Sequence, residues 1–202
     1  MKTIILASAS PRRKALLNDL GLTYTIQAAN IEECDAGDTP AAIVESNARR
    51  KCLAVAAGAE RDTLIIAADT LVFLEEEVLS KPLDLDDARR MLRLLSGNTH
   101  QVVTGLAVYD TTTRRLVQGS ESTDVTFRPL SEEEIACFVD VVRPLDRAGG
   151  YTVDGPGSLL VSRYDGCYQN VLGLPIVRLD KLLRQLDCNL FTLLDPAKAR
   201  FL

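Results

Sequence analysis

The sequence contains very few of the side chains on which many metal centres and catalytic triads depend. It has one histidine, His100, and no tryptophan. A single histidine excludes a metal site built from several histidines and leaves a histidine-based triad with one candidate. His100 lies at the start of a predicted strand, where we expect a structural hydrogen bond within the sheet rather than a catalytic role.

The cysteines form no recognisable framework, and long hydrophobic runs are missing. The five cysteines are odd in number, widely spaced and without a C-x-x-C pair, which argues against a disulfide scaffold and a structural zinc site. No apolar run approaches the roughly 18 residues of a membrane span, and the apolar start, MKTIILASAS, is interrupted at Pro11. We therefore expect free thiols in a reducing compartment, a cytoplasmic protein and no membrane partner.

Positive charge is not in excess either. The 202 residues include 23 Lys and Arg against 28 Asp and Glu, for a net charge of −5. This balance offers no overall footprint for a nucleic acid polymer, so we expect no such partner. The length and the hydrophobic content of 47% suffice for one sizeable domain, or for one domain of two lobes.

Strand-like and helix-like patterns alternate along the chain. Strands are predicted at 3–8, 23–27, 63–68, 101–109, 116–127 and 158–164, with a further hairpin within 71–79. Helices are predicted to begin at Pro11, Pro40, Asp84 and Ser131, and a closing helix covers 174–186. Ser131 opens a capping box, and Gly149-Gly150 is expected to need positive φ or close backbone approach. The alternation predicts an α/β fold with a mixed sheet and flanking helices.

The first helix begins with positive charge. LASASPRRKALL, residues 6–17, runs from an apolar strand to Ser10 as N-cap and Pro11 as the first helical residue. Cations at a helix N-terminus are disfavoured by about 0.3–1 kcal/mol each, so Arg12 and Arg13 are either solvated or face a bound anion. Ser8, the helix N–H groups and the two guanidinium groups would suit a phosphate.

Acidic residues occur where they could bind a metal or accept a proton from water. Asp69, in AADT, is expected at the carboxyl end of the buried strand 63–68, where it would either cap a turn or take a proton or a divalent metal. Glu32, Glu33 and Asp35 in IEECDAGD are either solvated or oxygen ligands for Mg²⁺.

Two lysines complete the set. Lys51, in a predicted helix, and Lys81, in an extended segment before Pro82, are surface residues by default. Combined with the arginines and carboxylates above, they match the needs of metal-assisted attack on a polyphosphate, in which cations neutralise phosphate oxygens and a carboxylate activates water.

Several ordered motifs resemble the Maf family of nucleotide pyrophosphatases, also called septum formation inhibitor or Maf-like proteins. They are LASASPRR (6–13), ESNARRK (45–51), AADTLV (67–72), SKP (80–82), LSGNTHQVVTG (95–105), AGGY (148–151) and NVLGLPIVRL (170–179). The resemblance implies hydrolysis of a nucleoside triphosphate to the monophosphate and pyrophosphate with a divalent metal, Mg²⁺ or Mn²⁺. It also implies a homodimer and a single domain over 1–202, with the two-lobed inosine-triphosphatase-like fold and the active site in the cleft between lobes.

The resemblance also assigns roles to individual residues. Asp69 matches the proton acceptor and, with Glu32, the metal-contacting positions. The positions that match substrate and phosphate contacts are Ser8, Arg12, Arg13, Lys51 and Lys81. An alternative is a nucleotide-binding regulator of septum formation or cell division that grips the phosphates without cleaving them. A nucleotide kinase or transferase is disfavoured because the chain lacks a Walker-type motif.

Three positions concern the preference for the base of the nucleotide. Arg12 and Thr70 look like the family branch that acts on dTTP and UTP, whereas Asp154, in YTVDG, stands where that branch has Gln. An ionised carboxylate accepts hydrogen bonds but donates none, while Gln does both. We therefore expect Asp154 to shift or relax the base preference, in the direction of cytosine, whose exocyclic amine is a donor.

Overall fold

A seven-stranded mixed sheet organises the protein. The computed structural model describes residues 2–200, and its strands run in the order β2-β1-β3-β5-β6-β7, with β4 paired to β3. The strands are β1 Thr3–Leu6, β2 Thr25–Ile26, β3 Thr63–Leu74, β4 Glu77–Leu79, β5 Thr99–Asp110, β6 Arg115–Phe127 and β7 Val161–Asp165. β1 is parallel to β2 and β3, whereas β4 is antiparallel to β3 and β7 to β6. The predicted mixed α/β class is confirmed.

The helices begin largely where the cap residues predict. They are α1 Pro11–Asp19, α2 Pro40–Ala56, α3 Leu85–Leu95, α4 Glu132–Val142, α5 Tyr168–Val171 and α6 Ile176–Gln185. The side chains of Thr39, Asp84 and Ser131 each accept a backbone N–H of the first turn, and Ser131 forms the full capping box. The four-residue helix α5 had no signal in the sequence pattern.

The chain divides into two compact units. The first comprises the residues up to Asp69, Thr104–Glu121 and the residues from Gly173 onward; the second comprises Thr70–Val103 and Ser122–Leu172. In the first unit, alternate residues of β3 enter different core clusters: Leu64 and Ile66 join one, while Ile65 and Ala67 join the other. Side chains of a strand point alternately to its two faces, so the continuous apolar run TLIIAA is explained by burial of both faces.

The predicted end of the central strand is wrong. β3 does not stop before Asp69 but continues through it to Leu74. The Asp69 carboxylate accepts hydrogen bonds from two side chains of α2, so its charge is compensated inside the sheet, and Leu71, Val72 and Phe73 extend the buried run. The parallel pairing with β1 nevertheless ends at Leu6 opposite Ile66, so Asp69 lies beyond the end of its parallel neighbour.

A glycine lets α2 pack directly on the sheet. A Cβ atom on Gly105 in β5 would lie 2.3 Å from the carbonyl carbon of Val44 and 2.6 Å from the amide nitrogen of Glu45, both in α2. Real Cβ atoms do not approach backbone this closely, so any side chain at this position would push the helix away. The close approach of α2 to β5 at Val44 and Glu45 therefore depends on the missing side chain of Gly105.

We predict that Gly105→Ala lowers the free energy of unfolding by about 1–3 kcal/mol, because overpacking a tight contact forces the backbone to shift. Gly58→Ala is the matched control, since nothing lies within 4 Å of a Cβ at Gly58, just after α2. Urea denaturation measures both, and equal stabilities for the two variants would contradict the close approach.

The second unit has its own core, in which His100 is buried. His100 Nε2 lies 2.7 Å from the Tyr151 hydroxyl, and the His100 ring meets Phe127 edge-on with centroids 4.9 Å apart. His100 thus makes a structural hydrogen bond, as expected, but its partner is the Tyr151 side chain and not a group of the sheet. Burial lowers the pKa of His100 to about 4. Gly149 and Gly150, before Tyr151, have φ of 72° and 67°, as expected for this pair.

Stability should therefore fall on mild acidification. Unfolded His100 binds a proton near pH 6.5 but the folded form only near pH 4, so its contribution is complete above pH 6.5 and is lost as pH falls toward 4. We expect a loss of about 2 kcal/mol between pH 7 and pH 5. Urea denaturation of the wild type and of His100→Gln, whose side chain does not titrate, measures this loss of stability. Parallel pH profiles for the two proteins would refute the contribution of His100.

All five cysteines are free thiols. Over residues 2–200, none of the helices combines the length and the apolar character that crossing a bilayer requires.

Candidate functional site

Asp69 lies at the centre of a buried polar network in the first unit. It is only 4% exposed, its Oδ1 lies 2.6 Å from Lys51 Nζ, and its Oδ2 accepts a hydrogen bond of 2.9 Å from Asn47 Nδ2. Asn47 and Lys51 are four residues apart in α2 and so share one face of the helix. A buried carboxylate is costly unless it is paired and hydrogen-bonded, and one turn of α2 supplies both partners.

Lys51 links this carboxylate to a second one. Its Nζ lies 2.5 Å from Glu33 Oε1, while the Lys51 side chain is 10% exposed and that of Glu33 is 35% exposed. One ammonium thus bridges a buried acid and a solvent-accessible acid in the loop after β2. The neighbouring Glu32, which the family resemblance implies as a metal-contacting residue, is exposed. The residue of this loop that reaches Lys51 is Glu33.

Arg13 is buried on the amino-terminal side of α1. Its Nε donates to the carbonyl oxygen of Gly173 at 2.8 Å, and its Nη1 donates to Ser8 Oγ at 3.0 Å. Ser8 Oγ also accepts the N–H of Ser10. Ser10 occupies the N-cap position, as predicted, but its side chain makes no capping hydrogen bond. The hydroxyl that organises this turn is therefore that of Ser8.

The charges around Arg13 act on one another. Burial lowers the pKa of Arg13 to about 10; the charges of Asp69 and Glu33 oppose this shift, and that of Arg12 adds to it. Arg13 remains positive at neutral pH, within the electrostatic reach of both carboxylates. Cations and acids from three separate sequence motifs are thus assembled in the first unit.

The start of α1 remains electropositive. Among the residues that the structure describes, no side chain caps its first turn and no acidic residue lies in it. The partial positive charge of the helix N-terminus is therefore added to the charges of Arg12 and Arg13. This arrangement favours an anion.

The remaining predicted site residues belong to the second unit. Thr70 follows Asp69 in β3 and is half-buried, and Lys81 is exposed after β4. Asp154 precedes the short 3-10 turn Gly155–Leu159 and accepts a hydrogen bond from Thr152 Oγ1. Burial, followed by the charge of Asp154, raises the pKa of Tyr168.

The structure groups Ser8 with Arg13 and Lys51 with Asp69, and it adds Asn47, which sequence reasoning missed. The available signal was the spacing within ESNARRK, where Asn47 precedes Lys51 by one helical turn. No group of three or more His, Cys, Asp or Glu side chains that could hold a metal occurs within residues 2–200. Two carboxylates, those of Asp69 and Glu33, do converge on one cation, the Lys51 ammonium.

Comparison with known proteins gives the chain its family. The family model described as Maf-like protein matches residues 3–186. The dTTP/UTP pyrophosphatase of Pelotomaculum thermopropionicum is 45% identical over 190 residues, covering 94% of this chain and 99% of that protein. The dTTP/UTP pyrophosphatase of Bacillus cereus is 44% identical, with coverages of 94% and 98%. Among solved structures, the Staphylococcus aureus Ham1 protein has a TM-score of 0.45 and 16% identity, covering 62% of this chain and 72% of that one. By the extent of the family match and the identity of these relatives, this chain belongs to the family of Maf-like proteins.

Proposed function

We propose that this protein is a nucleoside triphosphate pyrophosphatase that hydrolyses dTTP and UTP to the monophosphate and pyrophosphate. The observation that carries the proposal is the buried Asp69 carboxylate, held by Lys51 and Asn47 beside a cluster of basic groups. The names of the relatives support the substrate class, since two relatives at 44–45% identity are dTTP/UTP pyrophosphatases.

Asp69 is the proposed proton acceptor. A carboxylate offers about four lone-pair positions, and the contacts from Lys51 and Asn47 use one on each oxygen. The remaining positions can accept a proton from water. The water oxygen forms the new bond to phosphorus, the phosphoanhydride bond breaks, and pyrophosphate leaves with the bonding electron pair.

The basic groups are the proposed phosphate ligands. Lys51 and Arg13 carry positive charge beside Asp69, and Arg12 and Ser8 lie at the start of α1. Guanidinium forks and ammonium groups neutralise phosphate oxygens and stabilise the charge that develops in the transition state. Lys81 is proposed as a further phosphate ligand on the strength of the SKP motif.

The acidic groups suit a hard divalent cation. Glu33 and Asp69 both approach Lys51 Nζ, so two carboxylates already share a positive charge, and Mg²⁺ is typically bound by one or two carboxylates together with substrate phosphates. We propose that Asp69, with Glu33 or the predicted Glu32, holds Mg²⁺ or Mn²⁺. When bound, the metal would polarise phosphoryl oxygens.

The first test removes the proposed proton acceptor. We expect Asp69→Asn to lower kcat for pyrophosphate release from UTP by about 10²–10⁴-fold, the usual contribution of a positioned general base. UTP affinity, measured by calorimetry with Mg²⁺, should fall much less than kcat, because Lys51 and the arginines remain although the variant weakens one proposed metal ligand.

Asp110→Asn is the matched control for Asp69→Asn. Asp110 is also a fully buried strand carboxylate paired with a lysine, at 2.6 Å from Lys2 Nζ, but it belongs to none of the motifs above. The Asp110→Asn variant should be less stable than the wild type but retain the wild-type kcat. Wild-type protein that binds UTP without releasing pyrophosphate under any divalent metal would instead favour the nucleotide-binding regulator.

The base preference is proposed to depend on Asp154. Its carboxylate accepts a hydrogen bond from Thr152 Oγ1, and its charge acts with burial to raise the pKa of Tyr168. An acceptor at this position suits the amine of cytosine better than the carbonyl oxygen of uracil or thymine. We propose that CTP joins UTP and dTTP as a substrate.

Replacing the carboxylate by an amide tests this preference. We expect Asp154→Gln to lower kcat/KM for CTP relative to UTP by about tenfold or more, the size of one hydrogen bond to a charged group. Asp165→Asn, an exposed acid in β7, is the control. Turnover of dTTP, UTP, CTP and 7-methyl-GTP measures the effect, and identical base preferences in wild type and Asp154→Gln would exclude it. We also propose that the protein is a homodimer, as the family resemblance implies, and that it is cytoplasmic.

A further inference from the structure

Asn47 connects two parts of the site that are far apart in sequence. Its side chain is fully buried. Nδ2 donates to the Cys34 carbonyl oxygen at 2.9 Å and to Asp69 Oδ2 at 2.9 Å, and Oδ1 accepts the Cys34 N–H at 3.0 Å. The amide thus grips both backbone groups of one loop residue and one oxygen of the proposed proton acceptor.

The orientation of the Asn47 amide is determined by its partners. The Cys34 N–H is a donor and can bond only to the amide oxygen, so the NH₂ group must face the Cys34 carbonyl and Asp69. Oδ2 of Asp69 is then obliged to act as acceptor towards Asn47, and Oδ1 as acceptor towards Lys51. The Asp69 carboxylate can rotate only if at least one of these bonds breaks.

The same contacts hold the acidic loop. Cys34 directly follows Glu33, whose carboxylate lies 2.5 Å from Lys51 Nζ. Anchoring both backbone groups of Cys34 to α2 therefore sets the distance of Glu33 from Lys51. A network of this kind fixes one arrangement only while every member is satisfied.

We propose that Asn47 is a positioning residue that locks the acidic loop and the Asp69 carboxylate into a single arrangement. This inference rests on the proposed function for its effect on turnover. Asn47 is fully buried, and its side-chain hydrogen bonds go to Asp69 and to the Cys34 backbone, so we infer that it acts through them.

Asn47→Ala removes all three bonds. We expect kcat to fall by about 10–100-fold, the cost of misplacing a catalytic group by a fraction of an ångström to one ångström. KM for UTP should change by less than about threefold, because Asn47 supplies no direct contact to the substrate. Hydrogen exchange of the Cys34 amide, followed by NMR, should accelerate by about tenfold, since its acceptor is lost.

Asn47→Asp separates the two functions. Its carboxylate keeps the acceptor for the Cys34 N–H but loses both donors and places a like charge beside Asp69. The Cys34 N–H keeps an acceptor, but the Cys34 carbonyl oxygen now faces a carboxylate oxygen. We therefore expect exchange of the Cys34 amide to be slower than in Asn47→Ala and faster than in the wild type, together with a kcat as low as that of Asn47→Ala. This variant also keeps the test decisive if Asn47→Ala does not fold.

Thr123→Val is the matched structural control. Thr123 is likewise buried and lies in none of the motifs above, and its Oγ1 donates to the Cys167 carbonyl oxygen and accepts the Cys167 N–H within the second unit. It should lower the melting temperature and leave both kcat per folded molecule and Cys34 exchange unchanged.

The inference is overturned if Asn47→Asp retains wild-type kcat, or if Cys34 exchange does not respond to Asn47→Ala. A wild type that releases no pyrophosphate would refute the proposed function instead. The Cys34 exchange rates of the two Asn47 variants would then decide by themselves whether Asn47 locks the loop.

Discussion

The ion pair between Asp69 and Lys51 is the interaction on which the site depends. A carboxylate buried inside a sheet costs several kcal/mol unless a cation and hydrogen-bond donors face it. Helix α2 meets this requirement with Lys51 and, one turn earlier, Asn47. The helix can do so only because Gly105 has no side chain where β5 meets α2. The same two helical residues reach the loop of Glu33, so a single packing contact determines the position of the whole acidic side of the site.

The basic side of the site is built by a different route. Arg13 is held by the Gly173 carbonyl oxygen and by Ser8 Oγ, so its guanidinium is fixed before any ligand arrives. Burial alone would weaken this charge, but the fields of Asp69 and Glu33 oppose that effect. Opposite charges within one small volume are what hydrolysis of a polyphosphate requires, since cations must hold the anionic chain while a carboxylate handles the proton of water.

Local signals in the sequence predict the elements well, and contacts distant in sequence escape them. The capping box at Ser131 involves residues three positions apart, and it is present as predicted. The strand end at Asp69 was misplaced because the partners of its carboxylate come from α2, which no strand pattern reveals. Taken alone, Asn47 is an ordinary polar residue of a helix. Its spacing from Lys51, one turn later in α2, is what indicates a shared partner. The choice between adjacent acids of one loop depends on how the Cys34 backbone is anchored, and this anchor is invisible in the sequence.

The most direct test of the central claim is a crystal structure of the Asp69→Asn variant with UTP and Mg²⁺ bound. We expect the reacting phosphorus to lie within about 6 Å of the residue-69 side chain, the reach of one bridging water. We also expect phosphate oxygens within hydrogen-bonding distance of Lys51 or Arg13. A triphosphate bound away from residue 69, with neither basic side chain on its oxygens, would contradict the proposed roles of these residues.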